Sequence, residues 1–332
     1  MKINSLDITD FDFKNNEELA TLIHEWLGNS SFIKAKSSGS TGEPKTIELP
    51  KHLILNSAKL TSSFFEIPVG ANALLALPLS FIAGKMMVFR SLVNDWNLIL
   101  TDSSANPHLP EGNIHFAAFT PLQADLLIET QFEKFNQIGT VILGGGVIST
   151  SLFHKLKKCR NRIFATYGMT ETITHVAVCE LKMQEQDQVF EALPGVDFFI
   201  DERGCLCIQA AHLDGGMFVT NDLVDLLDKT HFKFLGRIDN VINSAGLKIF
   251  PEKLEREIEE YLDCPFYVTS VEDELLGQKV VLFIQGEEKL FSGKLENLNS
   301  YFGNRIDRPR AYFFRQNFNY THTGKVIKKY FE

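Results

Sequence analysis

An α/β fold is predicted, with a large N-terminal domain built on a parallel βαβ sheet with an added antiparallel β portion, and a small α+β C-terminal domain. Three observations lead there. Apolar strand-like runs alternate with helical periods from Ala71 to Gly168, the pattern of βαβ units. After about residue 176 the texture becomes alternating and turn-punctuated, which reads as antiparallel β. Near residue 240 it changes again, to VINSAGLKIF, a helix headed by proline, and then strands. A chain of 332 residues with 44% hydrophobic and 23% charged residues is long enough for two domains and buries a core.

The elements follow in order. Residues 16–28 have the amphipathic period of a helix. Residues 37–46 (SSGSTGEPKT) form a turn-rich loop. The segment 47–67 reads as a helix approached through Pro50. Residues 71–77 are a buried strand bounded by Pro78, MMVFRSLVND is helical, and NLILTD is a strand. HFAAFT at 115–120 is a strand, PLQADLLIET a helix, and TVILGGG at 140–146 a strand entering a glycine loop. STSLFHKLKKC is a helix and NRIFATYG a strand. VDFFIDERGCLCIQA and GMFVTNDLVDLLDKTHFKFLG supply the antiparallel part. PEKLEREIEEYL, PFYVTSV, KVVLFIQG and a helix around 294–302 build the C-terminal part, and a basic, turn-like tail closes the chain. The division is placed at 1–238 and 239–332.

Charge and cysteine use narrow the function. Lys plus Arg is 33 and Asp plus Glu is 42, a formal net charge of −9. This argues against a nucleic-acid binder, which shows a basic face, and fits small-molecule partners. The N-terminus is polar and acidic, with no apolar signal core. Apolar runs such as 73–84 are broken by Pro78 and Ser80 and are too short for a membrane span. Five scattered cysteines fit reduced thiols in the cytoplasm. Cys205 and Cys207 lie two apart, as on one strand face, with no second pair to complete a metal site.

The strongest local signal is Ser37, Ser38, Gly39, Ser40, Thr41, Gly42 and Lys45. Glycines let backbone N–H groups approach an anion, and hydroxyls add donors for phosphate oxygens. It is not a Walker A loop, because Pro44 stands where that pattern has its second glycine, and proline offers no N–H. Taken alone, it is equally a polar surface loop.

Four segments in order carry a resemblance: SSGSTGEPK, YGMTET at 167–172, GRIDNVINSAGLKIFP at 236–251, and THTGKVIKK at 321–329. They resemble the phosphate loop, the Y-G-x-T-E segment, the G-R-x-D hinge segment and the C-terminal G-K segment of the adenylate-forming superfamily of acyl-CoA synthetases, peptide-synthetase adenylation domains and luciferases. The likeness runs from about residue 33 to the end.

The resemblance implies ATP, Mg²⁺ and CoA as reactants and assigns roles residue by residue. Ser38, Gly39, Ser40, Thr41, Gly42 and Lys45 would hold phosphates. Gly144, Gly145 and Gly146 would lie along the nucleotide and the acyl group. Tyr167, with Gly168 behind it, would stack on adenine. Thr170 would offer its hydroxyl to phosphate, and Glu171 would hold Mg²⁺. Asp222 and Arg237 would bind ribose, with Asn221 where glycine is usual and a left-handed backbone tolerated by Asn. Asp239 would be the hinge, beside Asn243 where relatives often carry lysine. Ser244, Ala245 and Gly246 would meet the CoA pantetheine. Lys325 would bridge the substrate carboxylate and the α-phosphate, a cation placed where charge develops.

The acyl segment is 77–92. Phe81 stands where relatives carry an aromatic or histidine. Pro78, Gly84 and Arg90 are most similar to the pattern of o-succinylbenzoate–CoA ligases of menaquinone synthesis. Arg90 either forks onto the second carboxylate of such an acid or is a helix-surface cation; Lys85 is a weaker candidate. The phosphate loop begins at Ser37, whereas relatives carry a long region before it. The chain is thus expected to be a reduced form, and a homodimer would cover the surface exposed. Transfer to a carrier protein, another acid, or a non-catalytic nucleotide-binding role are the alternatives.

Overall fold

The computed structural model describes residues 17–36, 46–182, 188–319 and Val326. It starts with α1 (Glu17–Leu27), whose Leu19, Leu22 and Ile23 form one buried stripe at helical spacing. β1 (Phe32–Lys36) and β2 (Thr46–Pro50) pair antiparallel as a separate ribbon. Neither strand was expected; both are short, half-exposed and flank the turn-rich loop. Pro50 then caps α2 (Lys51–Phe65), which ends where Glu66 turns left-handed.

The βαβ region holds β3 (Asn72–Leu75), α3 (Ile82–Asn94), β4 (Asn97–Leu100), β5 (Phe116–Phe119), α4 (Pro121–Thr130), α5 (Phe132–Asn136), β6 (Thr140–Leu143), α6 (Thr150–Leu156) and β7 (Arg162–Gly168). α4 spans the residues its sequence indicates. Thr120 accepts from the Gln123 N–H while the Gln123 side chain returns to the Thr120 N–H, and Pro121 needs no partner at the first turn.

The antiparallel part is β8 (His175–Glu180), β9 (Val189–Ala192), β10 (Val196–Ile200), β11 (Cys205–Ala210), β12 (Gly216–Leu226) and β13 (His231–Arg237). It does not form a sheet of its own. All these strands join one 11-stranded sheet of order β10-β11-β12-β13-β9-β8-β7-β6-β5-β3-β4. The ladder is parallel from β4 to β7 and antiparallel from β7 onward. Cys205 and Cys207 are free thiols buried in β11.

The strand sequence reverses direction between β3 and β5. Right-handed crossovers then set α3 on one face and the helices after β5 on the other. A crevice opens at such a reversal, beyond the carboxyl ends of the strands, and there ligands bind. The loops after β3, β5, β6 and β7 all emerge at that edge.

A second unit follows β13. It contains β14 (Ile242–Ser244), β15 (Leu247–Ile249), α7 (Pro251–Ile258), β16 (Phe266–Asp273), β17 (Gly277–Gln285), α8 (Ser292–Phe302) and β18 (Ala311–Arg315). These strands form a five-stranded sheet in which β18 runs parallel to β17. Its core of Ile242, Leu254, Ile258, Leu282 and Leu298 is separate from the large core, which runs from Leu19 to Phe232. None of the described helices is long and apolar enough to cross a membrane.

The glycine of the acyl segment has a packing reason. A Cβ on Gly84 would lie 2.3 Å from the Pro78 carbonyl oxygen, a backbone atom that cannot swing aside. Gly84 therefore lets the turn after β3 fold back onto α3. Gly84→Ala is expected to destabilise the protein by about 1–3 kcal/mol, read as a lower urea midpoint. An unchanged midpoint would show that the turn can retreat from the helix.

Candidate active site

Four elements deliver side chains to the crevice edge. β6 ends in Gly144, Gly145 and Gly146. A Cβ on Gly144 would stand 2.8 Å from the Thr166 hydroxyl, and Gly145 has φ +79°. Thr166 in turn donates to the Leu143 carbonyl at 2.9 Å. The loop therefore hugs the end of β7, and glycine is needed for both the approach and the turn.

β7 ends in Tyr167 and Gly168. A Cβ on Gly168 would sit 2.2 Å from the Thr174 carbonyl oxygen. The returning chain at 172–175 is pressed against the strand end for that reason. Thr172, fully buried, ties this turn together: its hydroxyl accepts from the Met169 N–H at 3.0 Å. Thr170 is buried within the turn, while Glu171 is exposed.

Tyr167 meets the antiparallel part. Its ring packs edge-on against Phe232, 5.0 Å between centroids, and against Phe190. Its hydroxyl donates to the Asp222 carboxylate at 2.6 Å. Asp222 stands opposite Arg237 in the β12–β13 ladder. Arg237 Nη1 donates to the other Asp222 oxygen at 3.3 Å, and Nη2 donates to Asp239 at 2.9 Å. Asn221 donates to Asp239 at 3.3 Å and accepts from Arg203 at 3.0 Å. One network thus joins Tyr167, Asp222, Arg237 and Asp239, four residues picked from three separate stretches of sequence.

Each Asp222 oxygen has one lone-pair site engaged and one left for a hydroxyl donor. That suits a vicinal diol lying across the carboxylate. Asn221 corrects an expectation. It lies inside β12 and is absent from the left-handed residues among those described. Its strand position needs no positive φ; it serves through its amide.

Ser244, Ala245 and Gly246 close the β14–β15 hairpin. Ala245 and Gly246 both have positive φ, 48° and 82°, as a two-residue hairpin turn demands. Ser244 is buried, with its hydroxyl unpartnered. Asn243 donates its backbone N–H to Gln278 at 2.7 Å.

On α3, Phe81 is the half-buried N-cap residue and bridges to Lys36 of β1. Lys85 donates to the Lys34 carbonyl, a structural contact with β1. Arg90 is no helix-surface cation: it is 1% exposed, and α3 turns it into the space under β7 and β8. Ser38, Gly39, Ser40, Thr41, Gly42, Lys45 and Lys325 lie outside the described residues. Among the described residues, no three His, Cys, Asp or Glu side chains cluster as a metal cage.

The sequence profile described as AMP-binding enzyme matches residues 37–210, more than half of the chain. The chain belongs to the AMP-binding enzyme family. It is 32% identical to the acyl-CoA synthetase (AMP-forming)/AMP-acid ligase II-like protein of Dyadobacter fermentans, with a TM-score of 0.63, covering 93% of this chain and 91% of that one. It is 24% identical over 320 residues to the 2-succinylbenzoate–CoA ligase of Lactococcus lactis, covering 88% of this chain and 69% of that protein. The O-succinylbenzoate coenzyme A synthetase of Bacillus subtilis, solved with ATP and magnesium ion, shares the fold at 18% identity, with a TM-score of 0.75, over 89% of this chain and 68% of that one. The chain spans 57% to 69% of the length of the curated ligases it matches.

Sequence reasoning missed Arg203 and Asn221 as links of the network, and also Thr172, His175 and His212. Thr172 ends the YGMTET segment and Asn221 stands beside Asp222, but their partners are not written in the sequence; Arg203 and His212 come from the turns flanking β11, and His175 from the start of β8.

The network has a titration signature. Burial first, and then the Asp222 carboxylate, push the Tyr167 phenol well above its ordinary 10.0. The folded state thus favours the neutral phenol, so its stability is complete below pH 10 and is lost as the pH rises above it. Tyr167→Phe should cost about 1.5–3 kcal/mol at neutral pH, as for a hydrogen bond to a charged acceptor. The gap between wild type and variant should narrow from about pH 9 to about pH 11, read by urea unfolding. A pH-independent gap would contradict it.

Proposed function

We propose that the protein is an AMP-forming acid–CoA ligase. The observation that carries this is the Tyr167–Asp222–Arg237 network at the edge of the sheet, in a chain of the AMP-binding enzyme family. The reaction is read as two half-reactions. A carboxylate oxygen attacks the α-phosphorus of ATP, the bond to pyrophosphate breaks, and acyl-adenylate forms. The CoA thiolate then attacks the acyl carbon and AMP leaves.

Each residue has a physical task in this reading. Asp222 and Arg237 hold the ribose hydroxyls, and the Tyr167 ring offers a face to adenine. The glycine loop at 144–146 admits nucleotide and acyl group at backbone distance. Thr170 and the loop 37–45 bind phosphate oxygens. Glu171 is an exposed hard-oxygen donor, which fits Mg²⁺ held mainly by phosphates and water; the ion would neutralise charge on the phosphates. Phe81 lines the acyl side. Ser244 and Gly246 meet the pantetheine.

We place the domain boundary at 238/239, with Asp239 as hinge. The two separate cores and the short turn at Ile238–Asn240 support it. A homodimer and a cytoplasmic setting belong to the same reading; five free cysteines suit a reducing compartment.

The acid is proposed to be 2-succinylbenzoate. The names of the matched ligases support this, as does Arg90. A buried guanidinium in a site that is apolar around it is a costly device unless an anion visits it.

Pyrophosphate release with ATP, Mg²⁺ and a panel of carboxylic acids tests the reading. 2-Succinylbenzoate is expected to lead the panel, with CoA consumption following it; silence on every acid would sink the ligase assignment. Lys325→Ala is expected to lower adenylate formation by roughly 10²–10³-fold. Attack of CoA on preformed adenylate should be largely spared, because one lysine on a moving unit serves one conformation. Equal losses in both half-reactions would remove that role.

A further inference from the structure

One side of α7 carries a polar stripe that the nucleotide network does not use. Glu252, Arg256 and Glu259 lie four and three residues apart, the spacing that puts side chains on one helix face. Leu254 and Ile258 occupy another face and are buried in the core of the second unit. The remaining acids of the helix are engaged within that unit. Glu255 accepts from the Val268 N–H at 2.8 Å, and Glu257 accepts from Arg305 at 2.8 Å. The stripe is the part of α7 that turns to the large unit.

Each of its members meets a piece of the crevice wall. Glu259 accepts from the Thr150 N–H at 2.8 Å, where α6 begins just past the glycine loop. Arg256 donates to the Phe234 carbonyl at 3.2 Å, and the Phe234 ring lies 6.5 Å from the Tyr167 ring. Glu252 lies against Gly236, the neighbour of Arg237, where a Cβ would stand 2.5 Å from its carboxylate. The stripe thus spans from the glycine loop to the ribose pair.

These contacts hold without holding tightly. One Glu252 oxygen accepts from Asn240 at 2.6 Å, while the other is buried with no partner among the described residues. Burial pushes the Glu259 carboxyl upward, against the pull of Thr150 and Arg256. Both acids give up water in this pose and regain it when α7 lifts away. Apolar side chains in their place would grip more firmly.

The β14–β15 hairpin identifies the pose. Ala245, Gly246, Leu247 and Lys248 at its tip are all exposed. Val147, beside the glycine loop, is exposed as well. A hairpin that guides pantetheine into the crevice would be covered by the crevice wall, so this pose precedes the attack of CoA.

We infer that Glu252, Arg256 and Glu259 form a releasable latch, which holds the second unit in the pose for adenylate formation and opens before CoA attacks. Arg256 and Glu259 are positioning residues, acting through β13 and α6 rather than on substrate. This rests on the ligase reading and deepens it: the stripe sets the balance between the two half-reactions.

The test measures each half-reaction separately, adenylate formation by pyrophosphate release and transfer by consumption of CoA on preformed adenylate. In Glu259→Ala the ratio of the first rate to the second is expected to fall about threefold to tenfold, the worth of one hydrogen bond. Arg256→Ala should move it the same way. Glu259→Gln, which keeps an acceptor oxygen for Thr150, should recover part of the ratio. A merely structural role would depress both rates equally. That result, or a ratio unchanged or raised, overturns the proposal. If wild type activates no acid, the ligase reading fails by itself, and trypsin cleavage after Arg237 then decides the latch. Cleavage at that hinge bond, well below the unfolding midpoints, should be several-fold faster in Glu259→Ala than in wild type. Equal rates would show that the stripe holds nothing in place.

Discussion

The Asp222 carboxylate is the point on which the architecture converges. It is placed by the β12–β13 ladder, where its cross-strand partner is Arg237. It is reached by Tyr167 from the end of β7, across the seam where the sheet has turned antiparallel. Arg237 extends the network to Asp239, at the start of the second unit. One carboxylate thus links the two parts of the large sheet to the link between the two cores. A cross-strand pair on its own would be worth only a few tenths to about 1 kcal/mol. Half-burial and a third partner in one network make it a fixed feature of the edge.

Polar contacts join the second unit to the large one. Thr150 at the start of α6 donates its backbone N–H to Glu259 at 2.8 Å. Burial pushes the Glu259 carboxyl upward in pKa. Arg256 donates to the Phe234 carbonyl at 3.2 Å. A Cβ on Gly236 would lie 2.5 Å from Glu252, so β13 and α7 approach closely there. Hydrogen-bonded contacts of this kind can be remade as two units move relative to each other. α6 directly follows the glycine loop, so the Glu259 contact joins the second unit to the crevice wall.

Much of this was legible in the sequence because the signals were local. The strand–helix alternation gave the parallel ladder, since buried strands read as continuous apolar runs and α4 carries its own cap. Tyr167, Arg237 and Asp239 were legible through two short segments, 167–172 and 236–251, and Asp222 through the resemblance of the stretch between them. What was not legible depends on distant pairing. β1, β2 and β18 are short strands with too few residues for a clear period; β1 and β2 pair with each other, and β18 with β17. The merging of the antiparallel strands into the large sheet rests on β8 pairing with β7, which periodicity does not encode. Arg90 sits in a helix whose apolar pattern gives no sign of where a lone cation points, and only packing shows it buried. His175 and His212 carry no spacing signal at all, being brought together by β8 and a turn 37 residues later in the chain.

The central claim is that the Asp222 network receives a ribose diol. Calorimetry of wild-type protein with AMP and with 2′,3′-dideoxy-AMP tests it without disturbing the fold. Removing both hydroxyls deletes two hydrogen bonds to a charged acceptor, so the account predicts binding weaker by at least about tenfold. Equal affinity for the two nucleotides would contradict it and leave Asp222, Tyr167 and Arg237 as a structural tie alone.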